Sequence, residues 1–563
     1  MNNSQISARI KRLSAMMTLL DDNPHKIRAF EKAARIISEH PEEMGVLIDE
    51  DRLKAVSGIG DTLAHIILYY AKSGGPGFEK ELEDRLPTGL PVLLDLKGLS
   101  LKKVQTLWLD HEISNITLLE EACRSNTLAG WSGFGSKLEQ LLLKSIAFKA
   151  RHVSDFHLDL ALKVSQLWHQ KLASLPSVKR VELTGRLRRR DDLIRSVDFI
   201  VEADLAVLKN DLIQFQNFDF THIEPISLKD DTGLPIQLWI SSSSDFQLRQ
   251  LVLTGGSAYL EKINSALRVK GLTHDQGSRA DLDATGLTEA TLCEVLHIQW
   301  IEPELRDNFD SFPPDRTLIQ VQDIKGVIHA HSTWSDGKNS LEQMVRAARD
   351  LGYQYLGISD HSQAAYYANG LKPDRVKKQW DHIDKLNDQY PDIHIFKGIE
   401  ADILSDGRLD YDEELLAGFD LVIASIHSHF HLDRDKQTNR IIRALQSPFT
   451  TILGHPTGRM LLSREGYDPD LPSIIEAAAE YDKIIEINTT PKRLDLDWRY
   501  AALAREKGVK FSINPDAHSS KGLETIPLGV SMARKGGLGP EDIINTLSTS
   551  ELTNYLRKHH WTK

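Results

Sequence analysis

Histidines and carboxylates recur at similar places in the C-terminal part of the 563-residue chain. They are His329-Ala330-His331, Asp336 within Ser335-Asp336-Gly337, Asp360-His361, Glu400, His427, His455 and Asp516-Ala517-His518. The side chains of a strand alternate with a period of two, so His-x-His and Asp-x-His each put two ligands on one face, where they can clasp one ion. An isolated histidine is more often a core or surface residue than a ligand. Here the same residue types close one apolar run after another, and that coincidence argues for metal. His329, His331, Asp336, His361, Glu400, His427, His455, Asp516 and His518 are imidazoles and carboxylates, and the two cysteines, Cys123 and Cys293, lie elsewhere. That donor mix suits manganese, zinc or iron(II), in a number sufficient for two to three ions.

The elements that position these residues are short apolar runs alternating with helical segments from residue 325 onward. The runs are Gly326-Val327-Ile328, Tyr355-Leu356-Gly357-Ile358, Ile393-His394-Ile395-Phe396, Leu421-Val422-Ile423-Ala424, Thr451-Ile452-Leu453, Lys483-Ile484-Ile485-Glu486 and Lys510-Phe511-Ser512-Ile513. Strands alternating with helices predict a parallel α/β barrel or a doubly wound sheet. All the runs except Lys483–Glu486 lead into one of the candidate ligands. A barrel gathers its C-terminal strand ends at one mouth, whereas an open sheet spreads them along a crevice, so convergence favours the barrel.

These motifs, in this order, resemble the PHP (polymerase and histidinol phosphatase) domain: His329-Ala330-His331, Ser335-Asp336-Gly337, Ser359-Asp360-His361, Gly398-Ile399-Glu400, Ser425-Ile426-His427-Ser428, Gly454-His455-Pro456 and Pro515-Asp516-Ala517-His518. The resemblance implies a distorted (β/α)7 barrel over 323–563 with a trinuclear metal centre that hydrolyses phosphoesters. Clustered divalent ions can activate a water and neutralise charge on phosphoryl oxygens, so no protein nucleophile is required. Arg459 and Asn488, just past strand ends, are expected to hold substrate phosphate.

Residues 1–150 have a helical pattern broken by glycine turns. Ser57-Gly58-Ile59-Gly60 and Ser132-Gly133-Phe134-Gly135 each precede a helical run and predict helix-hairpin-helix turns. Such turns expose backbone N–H groups at a helix N-terminus, so Gly58, Gly60, Gly133 and Gly135 are candidate DNA-backbone contacts that read no sequence. Lys97-Gly98-Leu99-Ser100 is a poorer third copy without the second glycine. Residues 151–312 mix helix with strand-like runs around Val181, Phe199 and Ile236. The polar, proline-bearing stretch 310–322 reads as a linker.

Together with Lys26-Ile27-Arg28-Ala29-Phe30, these elements resemble a bacterial family-X DNA polymerase with a C-terminal PHP domain. Thr184-Gly185-Arg186-Leu187-Arg188-Arg189 looks like that family's phosphate-binding loop, Leu253-Thr254-Gly255-Gly256 like its Thr-Gly-Ser turn, and Ile301-Glu302-Pro303-Glu304-Leu305-Arg306 like the end of its thumb. The resemblance implies a multidomain chain: an α-helical helix-hairpin-helix region at 1–150, an α+β nucleotidyltransferase-like palm at 151–242, a thumb at 243–312 and the barrel. It departs from the family at the polymerase carboxylates. Where Asp-x-Asp is expected the chain reads Ser196-Val197-Asp198, and the third position reads Gln237. One carboxylate cannot hold two dications against their mutual repulsion. Glu202 would lie roughly 13 Å further along the strand. Arg186 replaces the loop serine, Val252-Leu253 an aromatic pair, Leu260 an asparagine and Ile66 the lyase lysine.

Composition narrows the classes. A formal charge of −12 excludes coating of nucleic acid by bulk positive charge, so any grip on DNA must be local. Two distant cysteines fit a reducing cytoplasm and exclude a thiolate zinc ribbon. No apolar run is long enough to span a bilayer. The sequence therefore predicts a cytoplasmic, monomeric DNA-binding phosphoesterase, a 3′-to-5′ exonuclease or 3′-end-processing repair enzyme at gaps or 3′ ends, with an inactive polymerase-like half. The alternatives are an active gap-filling polymerase using other carboxylates, a phosphatase of the histidinol-phosphatase type, and a non-catalytic DNA-end binding protein.

Overall fold

The computed structural model describes residues 3–40, 42–73, 77–213, 215, 225–272, 284–307 and 316–559. Packing divides the chain into two compact units, Met1–Ser154 with Asp231–Gly233, and Asp155–Asp230 with Leu234–Lys563.

The first unit is built of helices, among them Asn3–Leu19, Pro24–Glu39, Asp61–Ser73, Leu101–His111 and Ser136–Arg151. The second of these starts cleanly because Pro24 needs no N–H partner and Asn23 Oδ1 accepts the His25 N–H at 2.8 Å. Ile6, Ile10, Leu13 and Met17 share one core with Phe30, Ala33 and Ile37. The hairpin turns form as the glycines require, with φ of 96° at Gly58 and 83° at Gly133, a region that penalises any side chain. At Gly60 and Gly135 a Cβ would meet no protein atom within 4 Å. Internal packing therefore does not demand glycine there. The helix after Gly135 has no side-chain cap, although its Leu138 N–H already donates to the Gly135 carbonyl at 2.9 Å. In the third copy Ser100 Oγ instead accepts the Lys103 N–H, so that end is already satisfied.

In the second unit a four-stranded sheet is formed by β1 (Arg180–Thr184), β2 (Val197–Glu202), β3 (Ile226–Lys229) and β4 (Pro235–Ser241), in the order β1-β2-β4-β3. β2 and β4 are parallel, and the outer pairs are antiparallel. The helix Leu158–Ala173 contributes Ala161, Val164, Trp168 and Leu172 to the core that also holds Phe199, Val201 and Leu238. The helices Phe246–Thr254, Ser257–Val269 and Glu289–Leu296 enclose a smaller core around Leu251, Tyr259, Ile263 and Leu292.

Seven parallel strands follow in sequence order: β5 (Gly326–Val327), β6 (Tyr355–Ile358), β7 (His394–Asp402), β8 (Leu421–Ser425), β9 (Ile452–Leu453), β10 (Ile484–Asn488) and β11 (Phe511–Asn514). A parallel bridge between Ala330 and Ala517, with the His331 N–H 2.8 Å from the Ala517 carbonyl, joins the two edges, so the sheet nearly closes as a barrel. Alternation sorts the strand residues. Tyr355, Phe396, Leu421, Ile423, Ile452 and Ile484 cluster with Leu552 and Leu556 of the last helix, Thr549–His559, which plugs one end. The intervening Leu356, Ile395, Val422, Ala424 and Ile485 join the core shared with the surrounding helices. Both faces are buried, which is why these strands read as continuous apolar runs.

Ion pairs, centred on the buried Lys535, tie the segment between β1 and β2 and the segment around Glu304 and Asp307 to the barrel within this unit. Lys535, fully buried on Ile526–Lys535, reaches Asp191 at 2.9 Å and Asp307 at 2.6 Å, and Arg534 reaches Glu304 at 2.8 Å. Removing one partner of such a pair typically costs about 3–5 kcal/mol. The linker expected at 310–322 falls partly on 308–315, outside the described residues.

Candidate metal centre

The alternation that fills the barrel also builds the site. Stepping by two from Tyr355 reaches His361, from Phe396 reaches Glu400, from Leu421 and Ile423 reaches His427, and from Ile484 reaches Glu486 and Asn488. The inner faces therefore change from apolar packing to ligands at the C-terminal ends of the strands. Three groups of donor atoms result: His331, Asp336, His361 and His518; His329, His331 and Asp516; and His361, Glu400 and His427. His455 joins the third group, its Nε2 lying 3.0 Å from Glu400 Oε1. All nine expected ligands are thus brought together, with Glu400 at the centre.

Several donor pairs stand at the separation of two ligands of one ion, while His455–Glu400 and His331–Asp516 lie within hydrogen-bond distance at 3.0 Å. Two donors bound at about 2.1 Å to one tetrahedral ion stand about 3.4 Å apart. His329 Nε2 lies 3.6 Å from both Glu400 Oε1 and Asp516 Oδ1. His427 Nε2 is 3.3 Å from Glu400 Oε1, and Asp336 Oδ1 is 3.6 Å from His361 Nε2 and 3.5 Å from His518 Nε2. His329 Nε2, His331 Nδ1 and Glu400 Oε2 are buried without a hydrogen bond, a cost of about 1–3 kcal/mol each unless a ligand satisfies them. The residues present fit divalent metal.

Supporting carboxylates fix the rings. Glu486 Oε1 lies 2.6 Å from His329 Nδ1, Asp402 Oδ1 lies 2.6 Å from His427 Nδ1, and the Asp516 carbonyl lies 2.9 Å from His518 Nδ1. Each contact turns the other nitrogen toward the centre and raises its basicity. Sequence reasoning missed Asp402 and Glu486, although both carry a signal: Asp402 is one side-chain repeat past Glu400, and Glu486 is a charge inside an otherwise apolar strand. Asp360 has a different task. Its carboxylate accepts from the N–H of Ser332 and from Ser335 Oγ, Ser332 Oγ and Gln379 Nε2, which shapes the Asp336 loop.

The charges of the centre respond to one another. Burial pushes the Glu400 carboxyl up, yet the imidazoles of His427, His361 and His329 hold it well below the usual carboxylate range. Burial opposes protonation of His427, but Glu400 and Asp402 raise it to about 10; Asp336 and Asp516 likewise overcome burial and raise His518 to about 9. Ligand imidazoles must be neutral, so metal competes with these protons. Metal uptake at neutral pH should therefore release protons, and affinity should climb as pH rises toward 9. Calorimetric titration of manganese in buffers of differing ionisation heat measures that release. A heat independent of buffer would contradict it.

Two expected phosphate contacts need correction. Arg459 is committed elsewhere: its guanidinium donates to Asp497 at 2.6 Å, to the Arg493 carbonyl at 3.0 Å and to the Leu494 carbonyl. Asp192 lies 3.5 Å from the same guanidinium. Arg459 therefore shapes the loop after β10. Asn488 is fully buried, and its amide donates to Asp516 Oδ2 at 3.1 Å and Glu486 Oε2 at 3.2 Å, so it positions a ligand. The cation beside the centre is Arg493, whose Nε lies 3.8 Å from Asp516 Oδ2. It follows Lys492 in the loop beyond Asn488, and only the loop's path brings it back over the mouth. His429 and His431 are exposed.

Comparison with known proteins is decisive for the family. Residues 328–490 match the PHP domain and residues 1–75 a helix-hairpin-helix domain. The chain is 31% identical to the DNA polymerase/3′-5′ exonuclease PolX of Bacillus subtilis, over 99% of this chain and 100% of that protein. The chain belongs to the bacterial family-X DNA polymerases with a PHP domain. It is also 28% identical to a probable phosphatase of Thermoanaerobacter sp. (strain X514), covering 41% of this chain and 90% of that protein, and 26% identical to the probable phosphatase YcdX of Escherichia coli O1:K1 / APEC, covering 40% and 89%. The PHP-domain match, the probable-phosphatase relatives and the clustered donors together make this a family-X chain with a metal-dependent hydrolase domain.

The family's polymerase site can be located by register. Asp198 on β2 pairs with Thr184 on β1 and with Gln237 on β4, so Gln237 stands where a third carboxylate would face Asp198. Ser196 Oγ donates to Asp198 at 2.9 Å, and burial pushes the Asp198 carboxyl up. The arginines of the phosphate-binding loop are engaged. Arg186 pairs with Asp191 at 2.7 Å, Arg188 grips Glu289 through two nitrogens at 2.8 and 2.6 Å, and Arg189 pairs with Asp307 at 3.0 Å. Arg306, fully buried, closes on the same Glu289 at 3.2 Å. Ile66, where the lyase lysine is expected, is buried in its helix.

Proposed function

We propose that this family-X chain is a DNA 3′-to-5′ exonuclease or 3′-end-processing enzyme whose polymerase-like half does not polymerise. The observation that carries this reading is a contrast within one chain: nine imidazoles and carboxylates that could hold metal converge in the barrel, while only Asp198 remains of the polymerase carboxylates. Two to three manganese or zinc ions, with iron(II) as a third candidate, would be held by His329, His331, Asp336, His361, Glu400, His427, His455, Asp516 and His518. Such ions supply an activated water and neutralise the phosphodiester oxygens. Arg493 is placed to contact a phosphate oxygen beside Asp516, with Arg459 and Asn488 holding that loop and that ligand. Gly58, Gly60, Gly133 and Gly135 would grip DNA backbone without reading sequence, at gaps or 3′ ends. Among the described residues no helix is long and apolar enough to cross a membrane, and a monomer working in the cytoplasm is the setting this reading expects. The B. subtilis relative's printed activities, polymerase and 3′-5′ exonuclease, support the hydrolytic part.

End-labelled primer-template incubated with manganese, with and without dNTPs, tests the reading. Shortening of the primer from its 3′ end is the expected result. Extension would favour the gap-filling polymerase, a mobility shift without cleavage the DNA-end binder, and cleavage of small phosphomonoesters alone the histidinol-phosphatase-type enzyme.

A further inference from the structure

The loop after the His361 ligand carries two tyrosines that packing does not explain. Tyr366 and Tyr367 open a short turn, Tyr366–Ala368, and expose 86% and 62% of their surface. Their rings meet edge to face, with centroids 6.0 Å apart at 80°. Two planar surfaces near a right angle therefore stand open to solvent. A single exposed aromatic residue is ordinary on a soluble protein. Two in succession, five and six residues past a metal ligand, call for a reason.

The backbone beneath them is firmly held. The Ala364 N–H donates to Asp410 at 2.6 Å, the Leu371 N–H to the His361 carbonyl at 2.8 Å, and the Gly370 N–H to the Ala365 carbonyl at 3.1 Å. Asn369 Nδ2 reaches the carbonyls of Trp334 and Ser335 at 3.3 and 3.2 Å, tying this loop to the Asp336 loop. Arg375 donates to the Asn369 carbonyl at 2.9 Å and lies over the Trp334 ring at 5.9 Å. A turn fixed by these bonds gains nothing from exposed phenol rings, whereas a ligand gains a surface that needs no ordering. The turn also lies beside the metal mouth, since Asn369 at its end reaches the Ser335 carbonyl next to Asp336 at 3.2 Å. After burial, the carboxylates of Asp402, Glu400 and Asp336 are what raise the Tyr367 phenol, and Arg493 opposes them.

We propose that Tyr366 and Tyr367 form a stacking platform for the terminal bases of a single strand whose end phosphodiester sits at the metal centre. The inference rests on the nucleic-acid reading above and adds what distinguishes that substrate from a small phosphoester. Every base has a π face, so the platform tolerates all sequences, in keeping with hairpins that read none. Stacking on one aromatic ring is worth about 10- to 100-fold in affinity per base.

The test compares two oligonucleotides, one ordinary and one whose last two 3′ nucleotides are abasic. Wild-type protein with manganese should prefer the ordinary end by about tenfold or more in kcat/KM, chiefly through KM. In Tyr366→Ala/Tyr367→Ala that preference should collapse toward one, and in Tyr366→Phe/Tyr367→Phe it should persist. A separate binding reading in EDTA uses 2-aminopurine at the 3′ end: its fluorescence should be quenched by wild type and the Phe variant but not by the Ala variant. An unchanged preference in the Ala variant, or equal cleavage of both substrates by wild type, would overturn the platform alone. Hydrolysis of a small phosphomonoester without cleavage of either oligonucleotide would overturn the nucleic-acid reading, and the platform with it.

Discussion

His329→Ala and Asp516→Ala should each abolish metal-dependent hydrolysis, lowering kcat/KM by well over about 100-fold, because each removes a donor from a group that shares its remaining members with the next. His331 serves two groups, and Asp516 Oδ1 lies 3.0 Å from His331 Nε2 and 3.6 Å from His329 Nε2. Loss of Asp516 therefore loosens both rings as well as removing a carboxylate. Asp402→Ala provides the calibration. Asp402 only orients His427, and removal of such a support typically costs about 10- to 100-fold in metal affinity or activity. Its defect should shrink as manganese is raised, whereas the two ligand variants should stay inactive. Buried donors left in pairs also endanger the fold, so circular dichroism and direct measurement of bound metal must accompany the rates. Near-wild-type hydrolysis by folded His329→Ala or Asp516→Ala would move the active site out of the barrel mouth.

The clustering of imidazoles and carboxylates was legible because two local rules coincide. Strand alternation fixes which residues share a face, and a barrel gathers strand ends, so one-dimensional spacing carries three-dimensional position at His361, Glu400, His427 and Asp516. The same alternation could have exposed Asp402 and Glu486. It gives no information once the chain leaves the strand. Arg459 and Arg493 both follow strand ends, yet the first is absorbed by Asp497 and loop carbonyls while the second lies beside Asp516, a difference set by the loop's path. Strand β3 escaped notice because Ile226-Ser227-Leu228-Lys229 is too short to show a period. Nor does spacing reveal that Lys535 pairs with Asp191, far away in sequence, so palm-like and barrel segments that read as separate domains pack as one unit.

No template-directed extension of a primer is expected in magnesium or manganese, and restoring the lost carboxylates in Ser196→Asp/Gln237→Asp should not bring it back. Two-metal catalysis sets dications about 3.5–4 Å apart, a repulsion that several carboxylates must offset. Asp198 stands alone in register with Gln237, and burial already disfavours its charged form. The double variant would supply charge but not the rest of the machinery. A triphosphate needs free guanidinium groups, and here Arg188 and Arg306 share the buried carboxylate of Glu289, while Arg186 and Arg189 are held by Asp191 and Asp307. Breaking the Glu289 pairs would leave buried charges uncompensated at about 3–5 kcal/mol, more than a weakly held nucleotide can repay. Single-nucleotide incorporation opposite a defined template base is the measurement. Incorporation by wild type that survives Asp198→Ala would show that another carboxylate has taken over. Incorporation gained by Ser196→Asp/Gln237→Asp would show that the arginines are released on binding DNA and that two side chains alone separate this half from a working polymerase.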